Sequence, residues 1–230
     1  MLLRIITCLY MLAIGHTLKH LGRRKIAVLG KTCPRTLSGL SGFSPLSPAN
    51  LDDIVKKDKM LVENSERLQV IWEDYYKGKA TSLGFCLSGE QYSRLSNRIK
   101  ESPIFIVPVF KEENGSKHIM LLSQMQDKFV SFTYLEEYKQ NPDAATQWAS
   151  LAIYDDFVES KDLALVRGDV SPQLTREEGD QAVRSLLQTY MSEEEYPRFI
   201  HAFNHQPTTF NYDAYIAYMQ KLIIADHSES

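Results

Sequence analysis

Cysteine is scarce in this sequence, with three residues among 230. Cys8 and Cys33 lie in the N-terminal segment, so the rest of the chain contains only Cys86. A single thiol can form neither a disulfide framework nor a cysteine metal cluster. Because Cys86 lies within an alternating apolar pattern, we interpret it as a small buried hydrophobic residue.

The usual signatures of nucleotide binding and serine hydrolysis are also missing. The sequence contains neither G-x-G-x-x-G nor G-x-x-x-x-G-K-[ST], the loops that cradle phosphates. It also has no G-x-S-x-G nucleophile elbow. The absence of these motifs weakly favours a binding function over an enzymatic one.

Acidic side chains are absent from the first 51 residues, and Asp52 is the first in the chain. The same segment contains seven basic residues: Arg4, Lys19, Arg23, Arg24, Lys25, Lys31 and Arg35. Taking these seven from the total of 26 leaves 19 basic against 29 acidic side chains in residues 52–230, a net charge of −10. A body this acidic repels phosphate backbones, which argues against nucleic-acid binding.

The basic N-terminal segment is typical of a mitochondrial transit peptide. Transit peptides are rich in Arg and Ser and poor in acidic residues, and their charge draws them toward a compartment at negative potential. We therefore predict a transit peptide and flexible linker in residues 1–50, a folded domain in residues 51–230, and a location in the mitochondrial matrix.

The apolar run from Leu2 to Gly15 leaves a secretory signal peptide or a membrane anchor as alternatives. Six of the seven basic residues follow this run, whereas a signal peptide carries its positive charge before the apolar region. The run is also shorter than the roughly 20 apolar residues that span a bilayer. Matrix targeting without stable membrane insertion is therefore the preferred prediction.

Hydrophobic periodicity predicts helices, then strands, then helices. The clearest N-terminal helix has one apolar stripe, formed by Leu68, Ile71, Trp72 and Tyr75. Strand patterns follow around residues 83–87, 104–110, 117–125, 128–134, 148–154 and 163–170. Capping boxes at Ser88 with Gln91 and at Thr175 with Glu178 each begin a helix. This order predicts a single α+β domain with a largely antiparallel sheet of about six strands and helices before and after it.

Proline and glycine predict where the sheet ends and turns. Pro108 cannot donate to a strand ladder, so we expect an edge strand or a bulge there. The segment Glu112–Ser116 is a predicted hairpin turn, because Asn114 and Gly115 accept positive φ. Asn114 also begins a glycosylation sequon, which matters only if the chain is secreted.

Three patterns that resemble functional motifs have simpler structural interpretations. His201 and His205 would share a helical face, as zinc ligands do, but no third ligand is evident, so we predict structural histidines and no metal site. Arg167-Gly168-Asp169 spells an integrin-type tripeptide, yet Gly168 is better explained as a bulge or a close backbone approach. Acidic runs at 177–178 and 193–195 complement helix dipoles.

The C-terminal third is rich in aromatic residues: Phe199, Phe203, Phe210, Tyr212, Tyr215 and Tyr218. We prefer core packing between helices as their role. An exposed anchor patch is the alternative, because aromatic residues concentrate in interface hot spots.

Five segments between Leu51 and about Met219 resemble one protein family. They are Leu51-Asp52-Asp53-Ile54-Val55-Lys56, Ile71-Trp72-Glu73-Asp74-Tyr75-Tyr76, Phe105-Ile106-Val107-Pro108, Leu165-Val166-Arg167-Gly168-Asp169 and Phe203-Asn204-His205-Gln206-Pro207. In this order and spacing they resemble the mitochondrial ATP synthase assembly factors that chaperone the beta subunit of the catalytic head. The chain departs from the family pattern at Val107, at Phe110-Lys111 and at Gln206, as a divergent member would.

The resemblance implies an assembly chaperone that is not an enzyme and has no cofactor. It would bind the unassembled beta subunit and prevent its aggregation until the alpha subunit replaces it, because a free ring subunit exposes apolar interface. From their positions in the family motifs, we predict the partner-binding residues Arg167, Phe203, Asn204, His205 and Pro207.

Two binding modes and two other functions remain open. The client would be covered by an apolar face or groove, or would pair with an edge strand near Pro108 or Leu163–Val170. A matrix enzyme or small-ligand-binding domain without a recognisable motif would show a polar pocket with perturbed titrating groups. A secreted binding domain would carry a glycan at Asn114.

Overall fold

The computed structural model describes residues 49–111 and 117–228, with side chains as far as Ile223. Residues 1–48 of the predicted transit peptide and linker, with the apolar run, Cys8 and Cys33, lie outside the described residues, as does the predicted turn at Glu112–Ser116. Among the described residues, no helix is both long and apolar enough to cross a membrane.

The elements follow the predicted order. The N-terminal half contains α1 (Leu51–Ile54), α2 (Lys57–Val62), α3 (Ser65–Lys77), β1 (Ser82–Ser88), α4 (Gly89–Glu101) and β2 (Ile104–Phe110). The middle contains β3 (His118–Gln126), β4 (Phe129–Tyr134), α5 (Leu135–Gln140), β5 (Gln147–Phe157), α6 (Val158–Lys161) and β6 (Leu163–Val170). The C-terminal part contains α7 (Arg176–Met191), a π-helical segment (Tyr196–His201), α8 (Ala202–His205) and α9 (Tyr212–Ser228).

The six strands form one antiparallel sheet in the order β1-β6-β5-β4-β3-β2. The predicted α+β fold with six strands is therefore confirmed. Of the two possibilities predicted for Pro108, an edge strand or a bulge, the edge strand is confirmed, because β2 ends the sheet. The prediction that Leu163–Val170 forms an edge strand is wrong. This segment is β6, and it lies between β5 and β1 because β1 pairs with its outer side.

Helices cover opposite faces of the sheet. Successive strand residues point to opposite faces. In β1, Leu83 and Phe85 join the larger apolar core, whereas Gly84 between them lies against Tyr76 of α3. The larger core contains α4, α7, the π-helical segment, α8 and α9; the last four form what we call the C-terminal layer. The smaller core contains α1–α3, which we call the N-terminal layer.

The C-terminal aromatic residues pack in the larger core, as the preferred interpretation predicted. Phe105 of β2 lies at the centre of this packing, with its ring centroid 5.4 Å from that of Phe203 and 5.0 Å from that of Tyr215. Phe199 and Phe210 are buried beside them. The alternative of an exposed aromatic patch in this part of the chain is therefore wrong.

Helix α3 is rotated relative to the predicted stripe. Its buried residues are Leu68, Trp72 and Tyr76, whereas Ile71 and Tyr75 are exposed. Two contacts determine this rotation. The Trp72 indole Nε1 donates a hydrogen bond of 2.9 Å to the Val166 carbonyl. Tyr76 packs on Gly84, where a Cβ would come within 2.1 Å of the Tyr76 ring.

Candidate partner-binding site

The large apolar side chains that remain exposed in the described part of the chain all lie on α2 and α3. They are Leu61 (47% exposed), Val62 (84%), Val70 (46%), Ile71 (39%) and Tyr75 (53%). We call these five residues the N-terminal apolar surface. Single exposed apolar residues are ordinary in monomeric proteins, but a concentration of them marks an interaction site.

Tyr75 is held in place although it is exposed. Its ring packs edge-on against that of Tyr76, with centroids 4.9 Å apart. The Lys79 ammonium lies 4.1 Å from the centre of the Tyr75 ring, a cation–π distance. An aromatic side chain that is already oriented loses little conformational entropy on binding, which suits an interface anchor.

Arg167 lies on the sheet face beneath α3. Its Nε and Nη2 atoms donate hydrogen bonds of 3.1 and 2.8 Å to Asp169 Oδ1, and the Ser82 hydroxyl donates one of 2.9 Å to the same oxygen. Burial raises the pKa of Tyr76 to about 12, and the nearby Arg167 charge opposes that shift. Arg167 is therefore a half-buried charge that adjoins the N-terminal layer through Tyr76.

Gly168 was predicted to mark either a bulge or a close backbone approach. Its pairing with β1 is unbroken, which excludes a bulge on that side. The close approach, here to the Leu83 side chain, explains the glycine.

Asn204 closes the outer edge of β2. Its side-chain amide donates hydrogen bonds of 2.7 Å to the Ile104 carbonyl and 2.9 Å to the Ile200 carbonyl, and accepts one of 3.3 Å from the Ile104 amide. The Tyr215 hydroxyl donates a bond of 2.7 Å to the Ile106 carbonyl. Pro108, two residues further along this edge, has no N–H to offer. Strand addition at β2 is therefore blocked by the protein's own side chains.

The two histidines link the ends of helices. The His205 Nε2 atom lies 3.0 Å from the Glu101 carbonyl oxygen and 3.3 Å from the Ser102 hydroxyl. The His201 and His205 ring centroids are 4.5 Å apart, and the His201 Nε2 atom lies 3.7 Å from a Glu101 carboxylate oxygen. Within residues 49–111 and 117–228, no group of three His, Cys, Asp or Glu side chains is placed to hold a metal ion.

The predicted partner-binding residues lie in two separate places. Arg167 is on β6 near the N-terminal layer, whereas Phe203, Asn204, His205 and Pro207 lie near β2, and three strands separate β6 from β2. Phe203 and Asn204 are buried, while His205 is exposed and Pro207 half-buried. Their role in partner binding stays a prediction. The N-terminal apolar surface was missed because residues 71 and 75 matched the period of a buried stripe.

An acidic groove lies beside α1, lined by residues 49–53, 126–129 and 153–156. Asp155 accepts hydrogen bonds from Lys128 (2.7 Å) and from the Tyr92 hydroxyl (2.9 Å). Burial alone would raise the pKa of Asp155, but these two bonds outweigh it and lower the pKa. Asp156 pairs with Lys57. The lowered pKa of Asp155 is the opposite of the raised pKa that a carboxylic general acid needs.

The chain matches a known protein family over most of its length. A protein-family model described as "ATP11 protein" matches residues 41–216, which is more than half of the chain. A search among curated proteins finds no match.

Proposed function

The chain belongs to the ATP11 family, that of mitochondrial ATP synthase assembly factor 1, and we propose that it is the chaperone of the unassembled beta subunit. The family membership supports a role in ATP synthase assembly, implies a mitochondrial location and points to a protein that is not an enzyme. The beta subunit as client, the matrix as compartment and residues 1–50 as a transit peptide are our proposals.

The N-terminal apolar surface is the observation that best supports a client-shielding role. A subunit that has not yet entered the alternating ring exposes apolar interface and tends to aggregate. A chaperone covers that interface with apolar side chains that are exposed in its own folded state, as Val62 and Tyr75 are here. The affinity must be lower than that of the final obligate interface, so that the alpha subunit displaces the chaperone by competition.

The five residues predicted from the motifs enter this proposal in three roles. Arg167 would provide a charge at the border of the N-terminal apolar surface. His205 and Pro207 would form a second contact area on the other side of the sheet. Phe203 and Asn204 would support that area from the core, because both are buried.

An aggregation assay tests the proposal. Purified beta subunit is diluted from denaturant, and its light scattering is followed with and without an equimolar amount of this protein. We expect wild type to suppress scattering and the triple variant Val62→Ser, Ile71→Ser, Tyr75→Ser to suppress it far less, since it lacks the apolar contacts. A matched control replaces three exposed polar residues of the same helices, Asp58, Glu66 and Asp74, with Ser.

Two outcomes would contradict the proposal in different ways. If wild type leaves the beta subunit to aggregate as fast as buffer does, the chaperone function is wrong. If the triple variant and the polar control both suppress scattering as well as wild type does, the chaperone function stands, but the N-terminal apolar surface is not the client-binding site.

A further inference from the structure

The second edge of the sheet, β1, differs from the closed β2 edge. Antiparallel ladders use the backbone groups of every second residue. Two hydrogen bonds beside β1 show which residues face β6: Val170 N–H donates to the Thr81 carbonyl (2.8 Å), and Gly89 N–H donates to the Asp162 carbonyl (3.1 Å). The odd-numbered residues of β1 therefore bond to β6. The even-numbered residues Ser82, Gly84 and Cys86 direct their N–H and C=O groups outward.

These outward groups lack partners in the part of the chain that the structure describes. No described residue forms a hydrogen bond with the backbone of Ser82, Gly84 or Cys86 on this side, although the Gln91 side chain accepts from the N–H of Ser88 at the end of the strand. All three residues are half-buried. Six donors and acceptors thus lie in a row along an accessible edge.

The β1 strand has none of the usual protection against pairing. Natural edge strands are blunted by Lys, Pro or bulges, yet β1 reads Ser-Leu-Gly-Phe-Cys-Leu-Ser and pairs with β6 in unbroken register. The β2 edge, in contrast, has both a proline and the covering side chains of Asn204 and Tyr215. The β2 edge of the sheet is therefore closed by side chains of the protein itself, whereas the β1 edge can still pair with another strand.

We propose that β1 is a strand-addition site, at which an extended segment of the client pairs with the backbone of Ser82, Gly84 and Cys86. The inference rests on the proposed chaperone function and adds a second, hydrogen-bonded element to it. Only an extended polypeptide presents donors and acceptors at the spacing that alternate strand residues require. The site also adjoins the N-terminal apolar surface, because α3 packs on β1 through Tyr76 and Gly84.

Charges on the two sides of β1 would influence which segment binds. On one face the Arg184 guanidinium lies 5.2 Å from the centre of the Phe85 ring. On the other face Glu73 lies close to Cys86: burial first, and the Glu73 charge second, together raise the pKa of the Cys86 thiol to about 12. The Arg184 charge is already paired with Asp180 at 2.8 Å, so a paired segment with a basic residue toward Glu73 would fit best.

A second copy of this chain is the other possible occupant of β1. The charges disfavour it, since residues 52–230 have a net charge of −10 and like-charged copies repel each other. We therefore assign the edge to the client.

Amide hydrogen exchange of wild type, with and without purified beta subunit, tests the inference directly. In the free protein the outward amides of Gly84 and Cys86 should exchange fast, whereas the amides of Phe85 and Leu87, bonded to β6, should exchange slowly. With the client bound, we expect the outward amides to slow by at least tenfold. The β2 amides should not change, because that edge is already closed.

A proline variant adds an affinity measurement. Proline at an outward position of an edge strand removes no ladder bond. Cys86→Pro should therefore retain pairing with β6 while removing one donor and placing a ring in the path of the client strand. We expect affinity for the beta subunit to fall at least tenfold relative to the matched control Cys86→Ala, with similar far-UV circular dichroism spectra for both variants.

The outcomes separate this inference from the proposed function. If the beta subunit binds but the outward amides of Gly84 and Cys86 stay fast, strand addition is wrong and the chaperone function stands. If wild type does not bind the beta subunit, both are wrong. If these amides slow with rising protein concentration alone, together with a dimer in sedimentation, the edge serves a second copy and our assignment fails. The exchange result decides the question even if Cys86→Pro does not fold.

Discussion

The two helical layers of this protein cover the same sheet in different ways. The C-terminal layer packs Phe203 and Tyr215 against Phe105, and it satisfies the backbone of the β2 edge with its own side chains. The N-terminal layer buries one stripe of α3, exposes five large apolar side chains and leaves the β1 edge without partners among the described residues.

This difference separates stability from binding. Side chains that are fully packed and hydrogen-bonded stabilise the fold, but they have no apolar surface or polar group free to contact a partner. Apolar side chains and strand edges left exposed contribute little to folding, but their burial becomes available as binding free energy. Substitutions in the two layers should therefore act on different measurements. Two aromatic truncations test this directly, and three smaller effects test the closed β2 edge, the contact of α3 with β1 and the groove beside α1.

The largest effect is expected from two aromatic truncations compared with each other. Phe105→Ala removes a fully buried ring and should reduce the free energy of unfolding by about 3–5 kcal/mol. Tyr75→Ala removes an exposed ring and should change it by less than about 0.5 kcal/mol, while client affinity falls about tenfold or more. Urea denaturation and a binding titration measure the two quantities. Equal losses of stability in both variants would contradict the division between the layers.

The next effect concerns the amide that closes the β2 edge. Asn204→Ala leaves the Ile104 N–H and C=O unpaired in a buried place, which should cost about 2–3 kcal/mol of unfolding free energy. The matched control is Asn211→Ala. It removes the exposed N-cap bond to the Ala214 amide (3.0 Å) and should cost about 1 kcal/mol. A smaller loss at Asn204 than at Asn211 would show that the β2 edge does not depend on this amide.

A smaller effect is expected where α3 rests on β1. Gly84→Ala places a methyl group against the Tyr76 ring, so α3 must shift, at a cost of about 1–3 kcal/mol. The variant Gly78→Ala is the control, because nothing lies within 4 Å of a Cβ at that position. Thermal melts should show a lower midpoint for the first variant and a nearly unchanged one for the second. Equal midpoints would mean that the Tyr76 contact does not position α3.

The smallest effect is a pH dependence in the groove beside α1. The pKa of Asp155 is lowered in the folded state, where bonds from Lys128 and Tyr92 outweigh the opposing effect of burial. Its stabilising contribution is therefore complete above the unfolded-state value of about 4 and is lost as the pH falls through the folded-state value.

Urea titrations across this pH range measure that contribution. Asp155→Asn should lower the free energy of unfolding near pH 7 by less than about 1 kcal/mol, because the pair with Lys128 is partly exposed. The difference should shrink as the acid limit is approached. Lys128→Met should reduce the same pH dependence. A difference that grows as the pH is lowered would contradict this sign.

Local signals predicted the elements well because their causes are local. Both capping boxes have the predicted pairs of side-chain hydrogen bonds, at Ser88 with Gln91 and at Thr175 with Glu178. Asn64 accepts from the Arg67 amide as an N-cap. Each of these signals depends on residues three positions apart, so the chain itself brings the partners together.

Signals that depend on distant partners were less informative. The stripe of α3 was misassigned because Ile71 and Tyr76 lie on opposite borders of the same apolar arc. The hydrogen bond from Trp72 to Val166 and the space above Gly84 together place Tyr76 on the buried side. Likewise, the strand patterns of β1 and β6 are both apolar, so neither reveals which one forms the edge. Cys86 was expected to be buried, but it is half-buried because it lies on that edge.

Residue types and their spacing were enough to predict the family, the order of helices and strands, and an edge strand or a bulge at Pro108. Each of these depends on residue identity or on contacts within one turn of the chain. The three-dimensional packing was needed to show that β1 lies outside β6, that Asn204 and Tyr215 close one edge, and that the exposed apolar side chains lie on α2 and α3. Those features arise from pairings across about 90 to 110 residues, as between Trp72 and Val166 or Tyr215 and Ile106, because packing in three dimensions selects among registers and rotations that local periodicity leaves equivalent.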